Sequence, residues 1–290
     1  MKRAASVILL ALCGALLTRA PAFASIVLVQ TATVGSVFAT SNSVTFTNPV
    51  STGDVVGVMV DSAYGAGQCV TAPTVTDSAS DTPIAATAWN VSTSNWCTGV
   101  YLFVVSAGSS SFKITVSYSS SANIALLAFD YSGVKTTAPI DGSATAWATG
   151  TGTAVATASL TPAQSGDEQL AFLITGSATT VSAWSGTLAQ QSILSIAPQA
   201  VLADANLSST SAVTASATLA GSNPWGMSQL LLAPGSGGSS CSHDGYTAQG
   251  TLALPNGTSG SYWLKNGTLG TPNCSSVEYW QPKVGNFGVN

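Results

Sequence analysis

Hydrophobic residues in this chain recur at every second position over short runs, with Gly, Ser, Thr and Ala between the runs. The clearest example is 99–133, GVYLFVVSAGSSSFKITVSYSSSANIALLAFDYSG, where two small polar clusters separate three runs of strand length. A period of two predicts β-strands, and the short clusters predict the turns of a β-meander. The middle run has one polar face, whereas the flanking runs are apolar on both faces and are expected to be buried.

The same pattern continues through 25–234, where no segment has the apolar spacing of a helix. Short strands at regular spacing, with turn residues between them, are typical of an antiparallel fold. The sequence therefore predicts an all-β, jelly-roll-like β-sandwich over these residues. Gly53-Asp54 and Gly166-Asp167 each precede an apolar run, and we expect equivalent turns that lead into two central strands.

Residues 1–24 have the pattern of a cleaved signal peptide. Lys2 and Arg3 form a positive start, an apolar core follows, and Ala-Phe-Ala at 22–24 is a cleavage site before Ser25. The apolar core is too short for a membrane anchor, and no later run reaches membrane length. We therefore expect a secreted or cell-surface protein with no integral membrane segment.

The composition changes after the predicted sandwich domain. Residues 235–240, GSGGSS, are typical of a flexible linker, and a small module follows at 241–290. The module repeats the pattern L-x-N-G-T-x-G at 254–260 and 264–270. Asn-Gly favours two-residue hairpin turns because both central positions need a positive φ. The module is therefore expected to be a small β unit closed by a disulfide.

The cysteine count also indicates an exported protein. Beyond residue 24 the chain has four cysteines, Cys69, Cys97, Cys241 and Cys274, and an even count favours two disulfides. Of three possible connectivities, Cys69–Cys97 with Cys241–Cys274 is favoured because each pair lies within one segment. Each bond would stabilise the fold by about 3–4 kcal/mol through loop closure. The spacing of zinc ligands is not present.

The charge of the chain beyond residue 24 argues against two classes of partner. Its four lysines, set against eleven acidic residues and no arginine, give a formal charge of −7. The lysines are scattered, whereas binding to phosphate groups needs clustered cations. Nucleic acid is therefore not expected as a partner, and an anionic membrane surface is disfavoured for the same reason.

The order of several segments carries a resemblance. GDVVGVMV is followed by PTVTDSASDTP, then by the 99–133 stretch, then by SGDEQLAFLI and NPWGMSQLLLAP. This order resembles a β-sandwich module of bacterial secreted and cell-surface proteins, and it covers nearly all of 25–234. The resemblance implies a jelly-roll-like fold and an accessory, non-catalytic part in larger surface or cell-wall-associated proteins. It transfers no functional residue, and the Cys69 and Cys97 pair is not a usual feature of the module.

Catalytic motifs are sparse, and no catalytic residue is predicted. The chain has no nucleophile elbow, phosphate loop or zinc motif, and its single histidine, His243, has no partners that would make a triad. A glycoside hydrolase needs two separated carboxylates, and most candidate aspartates follow or precede strands, where Asp ordinarily closes turns. A hydrolase is therefore the least favoured class; its candidate carboxylates are Asp61, Asp77, Asp81, Asp130, Asp141 and Asp204.

Calcium is the one cofactor that the sequence leaves open. The loop Asp77-Ser78-Ala79-Ser80-Asp81 places two carboxylates and intervening oxygens close together, and calcium prefers oxygen ligands in loops. The loop lacks the glycine and the distal glutamate of an EF-hand. The alternative interpretation is an Asx-type turn without a metal.

The aromatic residues support an alternative function. Tyr262, Trp263, Tyr279 and Trp280 lie near the predicted hairpins, where they form either a sugar-stacking platform or the core of the small module. A carbohydrate-binding protein would present two or three exposed, coplanar aromatic side chains, with a polysaccharide as partner. The tryptophans of the sandwich domain are further candidates: Trp89, Trp96, Trp147, Trp184 and Trp225.

Together these observations favour a secreted or cell-surface, non-catalytic binding or structural protein. The first hypothesis is adhesion or an envelope-associated interaction, with a surface protein as partner. The alternative is a carbohydrate-binding module, and a glycoside hydrolase-like enzyme is the second alternative.

Overall fold

The computed structural model describes residues 25–63, 71–91, 96–142, 145–195 and 199–235, and the backbone of 248–253, 259–265 and 268–270. Within these residues all regular structure is β, and no helix occurs. The strands form two large antiparallel sheets and a three-stranded sheet. This confirms the all-β fold class predicted from the period-two pattern. The signal peptide predicted at 1–24 lies outside the described residues.

The chain completes one large sheet before it starts the other. The first sheet contains seven strands: β1 (Val27–Thr45), β2 (Val55–Ala63), β3 (Thr74–Asp77), β4 (Ile84–Ala85), β5 (Asn90–Val91), β6 (Trp96–Val104) and β7 (Lys113–Ser132). The second contains six: β8 (Ala146–Ala156), β9 (Glu168–Thr175), β10 (Val181–Trp184), β11 (Ala189–Leu194), β12 (Gln199–Asn206) and β13 (Ser216–Leu232). Residues 27–132 are called the first half below, and residues 146–232 the second half.

The two halves have the same strand topology. The order is β1-β7-β2-β6-β4 in the first half and β10-β13-β9-β12-β11 in the second, where β8 also pairs with β13. In each half the last strand pairs with the first, second and third strands, and the penultimate strand pairs with the second and fourth. Only β5 of the first half has no counterpart among the described strands.

Equivalent turns lead into the central strands β2 and β9, as the sequence predicts. Gly53 and Gly166 have φ values of 91° and 90°, which glycine adopts without the steric cost of a side chain. The N–H of Gly53 donates to the carbonyl of Val105, and the N–H of Gly166 donates to that of Leu207. These matching bonds set the register of the two halves, so that Val55 corresponds to Glu168.

A shared core joins the inner faces of the two sheets. Phe129 and Tyr131 of β7 face Phe172 of β9, and the ring centroids of Phe129 and Phe172 are 5.4 Å apart. Packing of two apolar sheet faces is the arrangement of a β-sandwich. Other wholly buried members of this core are Val55, Leu102, Leu127, Leu170, Ile174, Leu202, Leu230 and Leu232.

A second core covers the outer face of the first sheet. The early part of β7, at 113–117, pairs with the end of β1 on one side and with β3 on the other. This three-stranded outer layer packs Ile114 and Val116 against Val58 of β2 and Phe103 of β6. A jelly roll over all of 25–234 would pass strands between the two large sheets, whereas here each half closes an outer core of its own.

The β-meander predicted at 99–133 is wrong in two respects. β2 lies between β6 and β7, so these consecutive strands are not neighbours. The serine cluster at 119–121 continues β7 instead of forming a turn. This cluster lies where β7 passes from the outer layer into the first sheet, which explains its small polar side chains. The predicted burial of β6 and of the final part of β7 is confirmed.

The three-stranded sheet lies beyond residue 247. It contains β14 (Ala248–Ala253), β15 (Ser259–Lys265) and β16 (Thr268–Gly270), all antiparallel. Antiparallel pairing of these consecutive strands agrees with the predicted hairpins, and the Asn-Gly pairs at 256–257 and 266–267 lie outside the described residues. Cys241 and Cys274 lie outside the described residues, as does most of the linker predicted at 235–240, so the disulfide of this module stays a prediction.

Candidate functional site

A polar cluster interrupts the apolar core between the two sheets. The hydroxyl of Tyr131 on β7 donates to Oδ2 of Asp204 on β12, with a distance of 2.6 Å. Nε2 of Gln191 on β11 donates to Oδ1 of the same carboxylate at 2.6 Å. Beside it, Nδ2 of Asn206 donates to Oε2 of Glu168 at 3.2 Å. The Tyr131–Asp204 bond therefore connects the first half of the chain to the second. We call these five residues the inter-sheet cluster.

The strand register explains why the two carboxylates meet. Asp204 lies opposite Leu170, and Asn206 lies opposite Glu168 on β9. Residues two positions apart share one face of a sheet, so Glu168 and Asp204 are diagonal neighbours on the inner face. In the first half the corresponding positions hold Val55 and Leu102, which are buried in the shared core. The second half thus has two acids where the first half has two apolar side chains.

Burial controls the electrostatics of this cluster. Glu168 is 5% exposed and Asp204 is 7% exposed. Burial, together with the nearby Asp204 carboxylate, raises the pKa of Glu168 to about 7. Burial also raises the pKa of Asp204, although the hydrogen bonds from Tyr131 and Gln191 oppose this effect. The pKa of Tyr131 is raised by burial and by the adjacent acids.

No cation among the described residues balances the two acids. The groups that shift these pKa values include no lysine. Both lysines in the described part of the sandwich, Lys113 and Lys135, are exposed. The Tyr131–Asp204 bond therefore joins the two sheets, and the carboxylates themselves are nearly buried, whereas Gln191 and Asn206 are exposed and bring the cluster to the solvent boundary.

Sequence reasoning found only one member of this cluster. Asp204 was among the hydrolase candidates, whereas Glu168 and Tyr131 were missed. The available signal was the glutamate that begins the strand Glu168–Thr175, whose centre 170–174 is apolar and all of which is buried. A charged residue inside a strand that is buried on both faces requires a polar partner.

Two more acids occupy the matching turns of the two halves. Asp54 accepts a hydrogen bond from the N–H of Ser51 at 2.9 Å, and burial raises its pKa. Burial and the nearby Asp141 raise the pKa of Asp167 to about 7. Asp141 itself accepts from the N–H of Ala163 at 2.6 Å. Asp54 and Asp141 therefore close turns, in agreement with the interpretation of strand-end Asp from the sequence, whereas neither carboxylate oxygen of Asp167 has a hydrogen-bond partner among the described residues.

Asp130 and Asp61 lie within strands. Nε2 of Gln30 donates to Oδ2 of Asp130 at 3.1 Å, and burial raises the pKa of Asp130 to about 6. Asp61 is 2% exposed, and neither of its carboxylate oxygens has a hydrogen-bond partner among the described residues. Burial raises its pKa well above the ordinary value. Thr98, directly opposite on β6, also has a buried oxygen without a partner in the described part of the chain.

The loop predicted as a calcium site brings Asp77 and Asp81 together. Oδ1 of Asp77 accepts from the N–H of Asp81 at 2.9 Å, and Oδ2 of Asp81 accepts from the N–H of Ser106 at 3.1 Å. Burial is the larger cause of the raised pKa of Asp77, and the Asp81 charge adds to it. Ser80 adopts a φ of 62°, as residues in tight loops do. Calcium binding at this loop stays a prediction.

The tryptophans of the two halves pack against the cores. Trp225 is buried in the outer core of the second half, and Trp184 is packed against it. Trp89 packs against the outer core of the first half, whereas Trp96 and Trp147 pack against the shared core. None of these five side chains is in the exposed class.

Of the four aromatic residues in the predicted sugar-stacking platform, two lie on a described strand and two lie outside the described residues. Tyr262 and Trp263 lie on β15, next to each other in sequence, and only the backbone of this strand is described. Tyr279 and Trp280 lie outside the described residues, as does His243. The platform therefore stays a prediction.

Cys97 lies on β6, wholly buried, and takes part in a disulfide. The other three cysteines lie outside the described residues, so the predicted pairing with Cys69 stays a prediction. Among the described residues no three His, Cys, Asp or Glu side chains come together as a metal site would require.

Comparison of the chain with protein-family models, curated proteins and solved structures found no significant match. The described part of the chain has no helix that is both long and apolar enough to cross a membrane. The class of the protein is therefore defined by its own fold: two antiparallel sheets of matching topology around a shared core.

Proposed function

We propose that this chain is a secreted or cell-surface, non-catalytic binding or structural protein, and that it makes its contacts along β1. Large exposed hydrophobic side chains are concentrated on this strand: Val27 is 51% exposed, Val29 43%, Val37 40% and Phe38 66%. Two of these side chains lie at the start of β1 and two near its middle, and exposed apolar side chains grouped on one strand mark interaction surfaces more often than isolated ones do. This concentration is the observation that carries the proposal.

The position of β1 in its sheet supports this function. Among the described strands β1 pairs only with β7, so its other edge has no hydrogen-bonded strand, although β1 also contacts β11 of the second half. Register shifts occur near Val29, near residues 34–37 and near Thr40. Bulges of this kind protect an edge strand from uncontrolled pairing with other sheets. The bulges limit pairing of β1 with strands of other molecules, while its exposed apolar side chains stay available for contact. This combination fits adhesion to a specific surface.

The hydrogen bonds that several described acids accept are compatible with a non-catalytic role. Asp54, Asp81, Asp141 and Asp204 each accept hydrogen bonds from the protein itself. These bonds close turns or join sheets, which are structural tasks.

We also propose that each half, with its large sheet and its own outer core, is a jelly-roll-like unit.

The alternative function is carbohydrate binding. It is favoured by hydroxyl-bearing side chains on the solvent face of the outer layer that β1, β3 and β7 form in the first half. Val44, Ile114, Val116 and Val75 point into the outer core of the first half, so the residues between them face solvent. Cross-strand register forms two rows of hydroxyl groups on this face. The rows are Ser41–Ser117–Thr74 and Ser43–Thr115–Thr76. Such rows can exchange hydrogen bonds with the hydroxyls of a polysaccharide.

A binding experiment on residues 25–290 separates the two functions. The chain is passed over an alkyl-coated sensor and over a panel of purified polysaccharides, with calcium and again with a chelator. Adhesion through β1 predicts retention on the alkyl surface that falls at least tenfold in the variant Val37→Ser/Phe38→Ser. The comparison variant is Ile193→Ser, because Ile193 is an exposed hydrophobic residue on the neighbouring strand β11, and its change should reduce retention much less than the β1 variant does.

Two results would contradict adhesion through β1. One is equal loss of retention in the Ile193→Ser control, which would indicate non-specific adsorption. The other is polysaccharide binding that survives the β1 variant and is lost in Thr76→Val or Trp263→Ala, which would favour the carbohydrate function. Loss of binding with the chelator alone would assign a role to Asp77 and Asp81.

A further inference from the structure

The inter-sheet cluster lies on the inner faces where the two halves of the chain meet. Tyr131 comes from the first half, and the other four members come from the second. The contact around it is apolar, with Val55 opposite Tyr131 on β2 and Leu232 opposite Glu168 on β13. A charge on Glu168 or Asp204 would be nearly buried beside this hydrophobic interface, although Gln191 and Asn206 of the same cluster are exposed.

The titratable groups that face one another here are few. β7 contributes Tyr131, β9 contributes Glu168 and β12 contributes Asp204. β11 contributes the neutral Gln191, and β2 and β13 contribute apolar side chains. Two carboxylates therefore share one buried site with no cation from the described residues. If both were ionised, two like charges would be buried as diagonal neighbours, which is strongly unfavourable in a low-dielectric interior.

We propose that the inter-sheet cluster is a proton-dependent latch between the two halves. While a proton is held on Glu168 or Asp204, the Tyr131–Asp204 hydrogen bond and the apolar packing keep the halves closed. When both carboxylates are ionised, their repulsion opens this part of the shared core to water. The latch is independent of the function proposed for β1.

Comparison of the two halves shows that this topology does not require acids at the positions of Glu168 and Asp204. The positions of Glu168 and Asp204 hold Val55 and Leu102 in the first half, where both side chains are wholly buried. An apolar pair is therefore compatible with this topology. The acidic pair makes closure sensitive to pH, and the pKa of Glu168, raised to about 7, places that sensitivity near neutrality.

Hydrogen exchange measured at pH 5 and pH 8 tests the latch. Exchange rates corrected for the intrinsic effect of pH should show at least tenfold weaker protection at pH 8, confined to 124–132, 168–175 and 199–206. Glu168→Gln removes the titration of this residue and keeps an oxygen for Asn206. Its loss of protection at pH 8 should therefore shrink to the part that Asp130 and Asp167 cause. Asp167→Asn is the matched control: its pKa is also raised to about 7, but it belongs to a turn outside the cluster.

A carboxyl NMR titration of the unaltered chain keeps the proposal testable if Glu168→Gln does not fold. The midpoint for Glu168 should coincide with the midpoint of the loss of protection. Tyr131→Phe should weaken closure at pH 5 because it removes the hydrogen bond between the halves. The latch is overturned if Glu168→Gln retains the whole pH effect, if Asp167→Asn abolishes it, or if the two midpoints differ by more than a pH unit.

Discussion

At the scale of single residues, Gly57 shows how closely the two halves are packed. A methyl group at this position of β2 would come within 2.7 Å of Leu102 Cδ2 and still closer to the ring of Phe129. The corresponding residue in the second half is Leu170, which fills the shared core. Gly57 therefore provides the space that Phe129 occupies against Phe172.

Gly57→Ala should destabilise the protein by about 1–3 kcal/mol, because overpacking a filled core forces neighbouring side chains from their preferred positions. Urea unfolding followed by tryptophan fluorescence measures the effect. Gly35→Ala on the open edge of β1 is the control, since a methyl group added there would meet no described atom within 4 Å. Equal stability of Gly57→Ala and the unaltered chain would show that this part of the core is loosely packed.

At the scale of the elements, β2 and β9 are equivalent strands, and each holds an acid on its inner face where the other holds an apolar residue: Asp61 in β2 and Glu168 in β9. Val55, Met59 and Asp61 share the inner face of β2 by alternation, and Asp61 corresponds to Ile174 of β9. Ile174 is buried in the shared core, whereas Asp61 is buried with no hydrogen-bond partner among the described residues. A buried carboxylate without a partner costs stability unless something else binds it.

Asp61→Ile should therefore raise the free energy of unfolding at pH 8, by about 1–3 kcal/mol on the usual cost of an unsatisfied buried polar group. Urea midpoints at pH 8 provide the measurement. Asp54→Asn is the comparison expected to change stability in the opposite direction, because it weakens the acceptor for the N–H of Ser51. Destabilisation by Asp61→Ile would indicate that the Asp61 carboxylate binds a group of its own.

At the scale of the whole molecule, the buried acids determine how stability depends on pH. Burial raises the pKa of Asp130 to about 6 and those of Asp167 and Glu168 to about 7. Each of these acids holds its proton more tightly in the folded chain than in the unfolded chain. Between the ordinary pKa near 4 and the folded value, folding takes up protons, so stability falls as the pH rises.

We expect the urea midpoint to be higher at pH 5 than at pH 8, with most of the loss between about pH 5 and 7 and little change above pH 8. Unfolding curves at intervals of half a pH unit test this. The triple variant Asp130→Asn/Asp167→Asn/Glu168→Gln should flatten the dependence. A midpoint that rises from pH 5 to pH 8 would contradict the raised pKa values.

Several features followed from local pattern alone. Period-two alternation predicted an all-β fold, and the Gly-Asp turns at 53–54 and 166–167 predicted two equivalent central strands. Both depend on backbone geometry and on which faces are apolar, which neighbouring residues determine. The buried character of β6 and of the end of β7 followed from the same pattern.

Tertiary structure decided the remaining features because they depend on strands that are distant in sequence. Insertion of β2 between β6 and β7 replaced the predicted meander, and the serine cluster at 119–121 lies within β7 instead of in a turn. Glu168, Asp204 and Tyr131 meet only because the two sheets pack face to face, across 73 residues in the case of Tyr131 and Asp204. Alternation within one strand specifies which face a side chain takes, whereas the opposite sheet determines what that side chain meets.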